Sequence, residues 1–349
     1  MKILYGVQGT GNGHITRARC LAREFDRLGL EVDYVFSGRD KNKYFGMEVF
    51  GDARFFEGLT FETRNNKIDH LSTIKNLRPF RFVHELKQIH LDSYDLVISD
   101  FEPLTAWRSR FSKTPSLGIG HQYSFISGAP WPKHDVVGRL VLRYFAPVQR
   151  ALGVHWHHFD GTVLPPLIDV RLKWKPSEEA FVLVYLPFAN SESALEILLN
   201  LPSVAFKFYS PQHKERRQVE NVTIEPLSKE GFRQDLRQCR ALVSSCGFGL
   251  VSEALHMGIP ILTIPVQGQG EQIANAMALE QLGLGESNAH LNSQTLSEFM
   301  ERIDSTTGGT RSPMNYPDVA SAVADYCASG AHTDPKTLVD RLWQSTSAA

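Results

Sequence analysis

Two stretches of the chain set glycine, carboxylate, amide and imidazole groups at spacings that suit group transfer. The first is Ser244–Gly283, SSCGFGLVSEALHMGIPILTIPVQGQGEQIANAMALEQLG. A strand ends near Ser244-Ser245, and Gly247-Phe248-Gly249 turns into a helix that carries Glu253. Glycines before a helix let backbone N–H groups approach an anion, and the helix N-terminus adds about half a positive charge. A diphosphate can be held there without a metal ion. Glu253, early on the same helix, can accept two hydrogen bonds from a ribose diol. A second loop, Gln267–Gln272, brings Gln269, Glu271 and Gln272, and leads into a helix with Asn275. Its amides and carboxylate suit the hydroxyls of a sugar.

The second stretch is Gln8–Arg17, QGTGNGHITR, with glycines at 9, 11 and 13 between the first strand and its helix. Gly11 and Gly13 join the donor-binding set. A dinucleotide fingerprint fails here, because its third glycine falls at His14. The acidic residue that should end the second strand is also missing, since that strand closes Phe36-Ser37-Gly38. His14 reads either as a general base toward an acceptor hydroxyl or as a helix cap. Asp100-Phe101-Glu102-Pro103 stands at the end of another strand. Asp100 either orients His14, meets the acceptor, or caps the helix that follows. Glu102 and His121 are acceptor-side candidates, the latter with Gln122 at the end of the next strand.

The elements that must position these groups alternate strand and helix along the whole chain. Ile3–Val7, Glu31–Ser37, Leu96–Ser99 and Ser116–Ile119 are strand-like in the first half, with helices over His14–Leu28 and Leu104–Phe111. In the second half, strands at Phe181–Leu186, Ala205–Tyr209, Val222–Ile224, Ala241–Ser244 and Ile259–Ile264 enclose helices at Ser193–Leu199, Lys229–Cys239, Leu250–Met257 and Glu271–Leu282. Such spacing implies βαβ units and parallel sheets. Residues 133–152 read as one amphipathic helix, packed on its domain or else lying on a membrane surface, with Val137, Leu140, Val141, Tyr144, Phe145, Val148 and Leu152 as its stripe. The proline-bearing segment 164–177 reads as a linker between residues 1–165 and 166–349. The expectation is an α/β protein of two doubly wound, Rossmann-like domains. Their ligands lie in the cleft at the carboxyl ends of the strands.

The stretch from Ser244 resembles the donor-binding half of GT-B glycosyltransferases, including the bacterial enzymes that glycosylate lipid-linked muramyl pentapeptide and the UDP-glucuronosyltransferases. The resemblance implies that Glu253 binds the ribose. It sets Ser245, Gly247, Phe248, Gly249 and Asn275 near the phosphates, and Glu271-Gln272 on the donor sugar. Gly13-His14-Ile15 is similar to the opening of the acceptor-side domain in the same enzymes, where the histidine is the candidate base. Arg17 stands where that pattern has proline. The opening Gly-x-Gly-Asn-Gly-His and the Asp-x-Glu-Pro segment together resemble a little-characterised family of bacterial and archaeal glycosyltransferases. The implied reaction takes a sugar from a nucleotide diphosphate, with UDP as the nucleotide, and inverts the anomeric centre. It uses no metal and no cofactor. A GT-B-type epimerase and a non-catalytic nucleotide-sugar sensor remain as alternatives.

Composition fits these readings. Apolar residues make up 42% of the 349, charged residues 21%, as in globular chains with full cores. Residues 1–165 carry 22 Lys+Arg against 17 Asp+Glu, and residues 166–349 carry 15 against 21. The basic first half suits an anionic partner such as a membrane face, or is ordinary solvated charge. Four cysteines show no metal-ligand spacing, and MKILYGVQG starts a strand without a leader's apolar core. Both point to reduced thiols in a cytoplasmic protein, peripheral at the inner membrane face if attached at all. In His155-Trp156-His157-His158, His155 and His157 would share one face of a strand, but no third metal ligand is evident nearby. No nucleic-acid motif and no nucleophile elbow is present.

Overall fold

The computed structural model describes residues 1–59, 63–64, 67–68, 79–175, 177, 180–305 and 312–346. The chain divides into two units, Met1–Asp169 with Tyr316–Thr346, and Val170–Asn315.

In unit 1 the chain runs β1 (Lys2–Gln8), α1 (Asn12–Arg27), β2 (Glu31–Ser37), β3 (Arg54–Phe56), the short pair β4 (Thr63–Arg64) and β5 (Lys67–Ile68), and α2 (Pro79–Lys87). It continues through β6 (Leu96–Asp100), α3 (Pro103–Arg110), β7 (Ser116–Gly120), α4 (His121–Phe125), α5 (Val136–Tyr144), β8 (Arg150–Val154) and β9 (Val163–Leu164). The main sheet has the order β3-β2-β1-β6-β7-β8-β9, with every pairing parallel. Parallel strands covered on both faces read as unbroken apolar runs, and β6 and β7 are buried along their whole length. On one face Leu4, Val35 and Val97 pack with Ile89, Leu91 and Leu104. The helical period of α1 buries Ile15, Ala18, Leu21, Ala22 and Phe25, and Phe25 meets Tyr5 of β1 edge-on.

Unit 2 repeats the scheme with β10 (Phe181–Tyr185), α6 (Ser191–Leu199), β11 (Ala205–Tyr209), β12 (Arg217–Val219), β13 (Val222–Glu225), α7 (Lys229–Gln238), β14 (Ala241–Ser244) and α8 (Phe248–Met257). Then come β15 (Ile261–Thr263), α9 (Gly270–Gln281), β16 (Glu286–Ser287) and α10 (Ser293–Ser305). Its sheet order is β12-β13-β11-β10-β14-β15-β16, and only β12 runs antiparallel to its neighbour. The core includes Val182, Val184, Phe206, Phe208, Val222, Ile224 and Val243, closed by Leu296, Phe299 and Met300 of α10. The last helices, α11 (Val319–Ala328) and α12 (Pro335–Gln344), belong to unit 1. Trp343 donates from Nε1 to the Val163 carbonyl at 2.6 Å, and Arg150 donates to the Ala331 carbonyl at 2.8 Å.

Each sheet reverses its winding at one place. In unit 1 it is between β1 and β6, where Val7 pairs with Asp100. In unit 2 it is between β10 and β14, where Tyr185 pairs with Ser244. At such a reversal neighbouring loops part in opposite directions, and the carboxyl ends of the strands are left open to a ligand.

Two expectations need correction. The helix read over 133–152 ends at Tyr144, and Arg150–Val154 is a strand. Pro147 cannot continue a helix and biases Ala146 against it, so Leu152 serves the sheet and not the helical stripe. Nor does the helical part of that stripe pack inward: Val137, Leu140 and Tyr144 are 48%, 54% and 54% exposed, with Val136 beside them at 62%; Leu142 alone of α5 is buried, and of the stripe Phe145, just past the helix, is buried. The segment 164–177 is not wholly a linker either, because Leu164 pairs with Val154 as β9; its Pro176 lies outside the described residues.

Candidate active site

Unit 1 gathers its reactive side chains at the carboxyl ends of β1 and β6. β1 leads into Gly9, where an added Cβ would stand 1.9 Å from the Tyr44 hydroxyl, so only glycine passes. Gly11 precedes α1 in extended conformation and gives it no side-chain cap. A Cβ on Gly13 would meet open space. His14 follows on the first turn, 7% exposed. Its Nδ1 lies 2.8 Å from Oδ1 of Asp100, which is wholly buried at the end of β6. Gly120 makes room for that carboxylate, since a Cβ there would come within 2.8 Å of Oδ1.

Two further side chains close on this pair. Arg17, one helical turn beyond His14, donates from Nε to Asp100 Oδ2 at 3.0 Å and from Nη2 to Oδ1 at 2.8 Å. Gln122 brings its Nε2 within 3.4 Å of Nε2 of His14. The signal for Arg17 was its three-residue spacing from His14 on a helix. Of the pair His121-Gln122 at this strand end, Gln122 is the one that reaches His14. His121 instead turns Nδ1 to the Val154 carbonyl at 2.9 Å and packs edge-on against Phe125.

The side chain that caps α3 is Glu102, not Asp100. Its carboxylate accepts from the Leu104 and Thr105 amides and from the Thr105 and Ser37 hydroxyls at 2.6–2.9 Å. Burial raises the Glu102 carboxyl above the usual range, against the pull of these bonds. Burial acts on Asp100 in the same sense. There the Arg17 guanidinium and His14 prevail, and the carboxyl is held below the usual range.

Unit 2 has its counterpart after β14. Ser245 is buried, and Cys246 adopts φ +53°, a left-handed conformation that a residue with a Cβ resists. Asn275 of α9 donates from Nδ2 to the Cys246 carbonyl at 3.1 Å, which holds the turn. Burial pushes the Cys246 thiol up to about 12, so it is no nucleophile. Gly247 is the extended residue before α8, again without a side-chain cap. Added Cβ atoms on Gly247 and Gly249 would meet nothing within 4 Å. Neither glycine has a positive φ, so the fold itself does not demand them. Phe248 is buried beneath the turn, and Glu253 is half-buried on the second turn of α8.

The second loop enters α9 through Gln269, whose side chain makes no cap bond. Glu271 is half-buried. Gln272 turns Oε1 back to accept the Val266 amide at 2.9 Å, which fixes the loop. Four helices, α1, α4, α8 and α9, thus start without side-chain caps. By contrast, α3, α5, α6, α7, α11 and α12 are capped by Glu102, Asp135, Asn190, Ser228, Asp318 and Asp334. Among the described residues no group of three or more His, Cys, Asp or Glu could hold a metal ion, and no helix is long and apolar enough to cross a membrane.

Residues 1–304 match the family model described as glycosyl transferase family 1. An uncharacterised glycosyltransferase of Methanosarcina mazei is 26% identical over 340 residues, covering 83% of this chain and 87% of that protein. The crystal structure of the glycotransferase of kitacinnamycin is similar with a TM-score of 0.63, 16% identity and 99% of each chain covered. That of LpCGTa in complex with UDP is similar with a TM-score of 0.61, 14% identity and 98% of each chain covered. These likenesses show a shared fold, the GT-B type with two parallel-sheet α/β units.

Proposed function

The chain belongs to glycosyl transferase family 1 and is a glycosyltransferase, and from that premise we propose that it moves a sugar from a UDP-sugar to an acceptor hydroxyl with inversion at the anomeric carbon. The start of α8 carries the reading. It is an uncapped helix N-terminus at the winding reversal of unit 2, fronted by two glycines that packing does not require. A diphosphate can accept from such amides, and the helix dipole favours its charge. Glu253, on the next turn, takes the ribose hydroxyls. Glu271, Gln269 and Gln272 meet the donor sugar. The UDP complex of LpCGTa, a protein of the same fold, supports uracil as the base.

In the reaction the acceptor oxygen attacks the anomeric carbon and gives its proton to Nε2 of His14. The bond from that carbon to the diphosphate oxygen breaks, and its electron pair leaves with UDP. The amides at the start of α8 meet the charge that develops there, so the step as proposed uses no metal ion. Asp100 stabilises the imidazolium that forms. A general base is worth about 10²–10⁴-fold in rate.

A lipid-bearing acceptor fits one further feature of unit 1. Helix α5 exposes Val136, Val137, Leu140 and Tyr144, with Arg139 and Arg143 exposed beside them. An apolar face edged by cations suits an anionic lipid surface, which would bring the enzyme to the inner face of a membrane. The transfer reading is tested by calorimetry with UDP and by assaying UDP release from a panel of UDP-sugars with and without acceptors. Binding of UDP with no transfer to any acceptor, or a free epimerised sugar formed without one, would overturn it.

A further inference from the structure

His14 Nδ1 stands against two partners that make opposite demands on it. Asp100 Oδ1, at 2.8 Å, needs Nδ1 to carry a proton and donate. Arg17 Nη2, at 3.1 Å, would need Nδ1 to be bare and accept. One nitrogen cannot do both. Arg17 already spends two N–H groups on Asp100, one on each oxygen, at 3.0 and 2.8 Å. Bidentate guanidinium–carboxylate pairs are the stronger and more directional of the two interactions. The carboxylate is wholly buried and the guanidinium 6% exposed, so the pair is locked in place.

From this geometry we propose that Arg17 is a positioning residue: it fixes Asp100 so that Oδ1 takes the Nδ1 proton of His14, leaving Nε2 bare, and it shares the carboxylate's charge so that the imidazole stays neutral and able to accept a proton. The proposal rests on the reading of His14 as the base. Gln122 agrees with it, because its Nε2 approaches Nε2 of His14 at 3.4 Å, and an amide N–H can face that nitrogen only when it carries no hydrogen. With Arg17 gone, the charge of Asp100 would act on His14 alone and favour the imidazolium, which cannot act as a base.

The other titratable groups around the trio leave this balance to Arg17. Tyr5 from β1 faces Asp100 and Arg17, and burial raises its phenol well above the usual value. Tyr123 from α4 faces Asp100, and burial raises its phenol too. Both stay neutral through the range in which a histidine titrates. Glu102 is saturated by its own hydrogen bonds.

The test is nitrogen NMR of the full-length protein with labelled histidine, His14 being assigned by the signal lost in His14→Gln. The wild type is expected to show its neutral ring protonated on Nδ1. In Arg17→Met the His14 titration midpoint should rise by about one pH unit or more, and in Arg17→Lys, which keeps the charge, by much less. A wild-type ring protonated on Nε2 overturns the proposal, and this needs no variant to fold. So does a midpoint in Arg17→Met that is unchanged or lower. Both readings are of the resting protein. A failure of His14 as base appears separately, as normal transfer by His14→Ala.

Discussion

The side-chain amide of Asn275 donates to the carbonyl of Cys246 at 3.1 Å, tying helix α9 to the left-handed residue in the turn before α8. Cys246 has φ +53°, a conformation that costs of order 1–3 kcal/mol and persists only where its surroundings hold it. Replacing Asn275 with Ala leaves the buried carbonyl without this donor. A loss of about 1–3 kcal/mol in urea unfolding is expected, with UDP affinity falling by about tenfold or more as the turn relaxes. Unchanged affinity in a measurably destabilised Asn275→Ala would separate the turn from the nucleotide.

Glu253 is assigned to a ribose and not to the chemical step. Glu253→Ala should weaken UDP binding by about 1.5–3 kcal/mol, the range for hydrogen bonds to a charged group, and leave the turnover number at saturating donor nearly intact. Calorimetry and initial rates check this together. A fall in turnover with normal UDP affinity would move Glu253 into the chemistry.

His14→Ala should show the opposite pattern. Donor binding survives, while transfer falls by about 10²–10⁴-fold. Asp100→Asn keeps the shape but removes the charge that stabilises the imidazolium, and should cost transfer in the same direction.

Acid should erase part of the stability that Asp100 provides. Its folded carboxyl is held below the ordinary range by Arg17 and His14 against the effect of burial. The contribution is therefore complete above about pH 4, the ordinary carboxylate value, and is lost as the pH falls through the lower folded value. Asp100→Asn leaves the buried Arg17 without its ion partner and should be less stable than wild type by about 3–5 kcal/mol at pH 7. The gap should narrow steadily in urea titrations carried toward pH 3. A gap that stays constant on acidification would contradict the assignment.

The exposed face of α5 predicts attachment to vesicles containing anionic lipid. Flotation of the protein with such vesicles should exceed that with neutral ones. It should fall sharply in Val137→Glu/Leu140→Glu, two exposed positions whose change leaves the core untouched. Equal flotation of variant and wild type would remove α5 from the contact.

Much of this arrangement was legible before any coordinates. Both Rossmann-type sheets follow from apolar runs alternating with helical periods, and the observed strands Glu31–Ser37, Ala205–Tyr209 and Ala241–Ser244 coincide with the sequence reading. Strands buried on both faces announce themselves by composition alone. The glycine turns were visible too, because glycine before a helix has few other uses. Local periodicity could not reveal what depends on contacts between distant residues. Arg17 looked only like a departure from a familiar proline, and its grip on Asp100 spans 83 residues of chain. Helix α5 shows the other limit: its stripe of apolar residues is real, but periodicity says which residues share a face and not what covers that face.

Transfer from UDP-sugar as proposed needs a diphosphate against the first turn of α8, and Gly249→Asp tests this most directly. An added Cβ at 249 meets nothing within 4 Å, and an acidic residue in a first helical turn that has none should stabilise the helix by about 0.3–1 kcal/mol. The same carboxylate would repel a diphosphate. Calorimetry should therefore find UDP affinity lowered by at least about tenfold in a variant whose melting temperature is equal to wild type or higher. UDP bound as tightly by this variant as by the wild type would contradict the account.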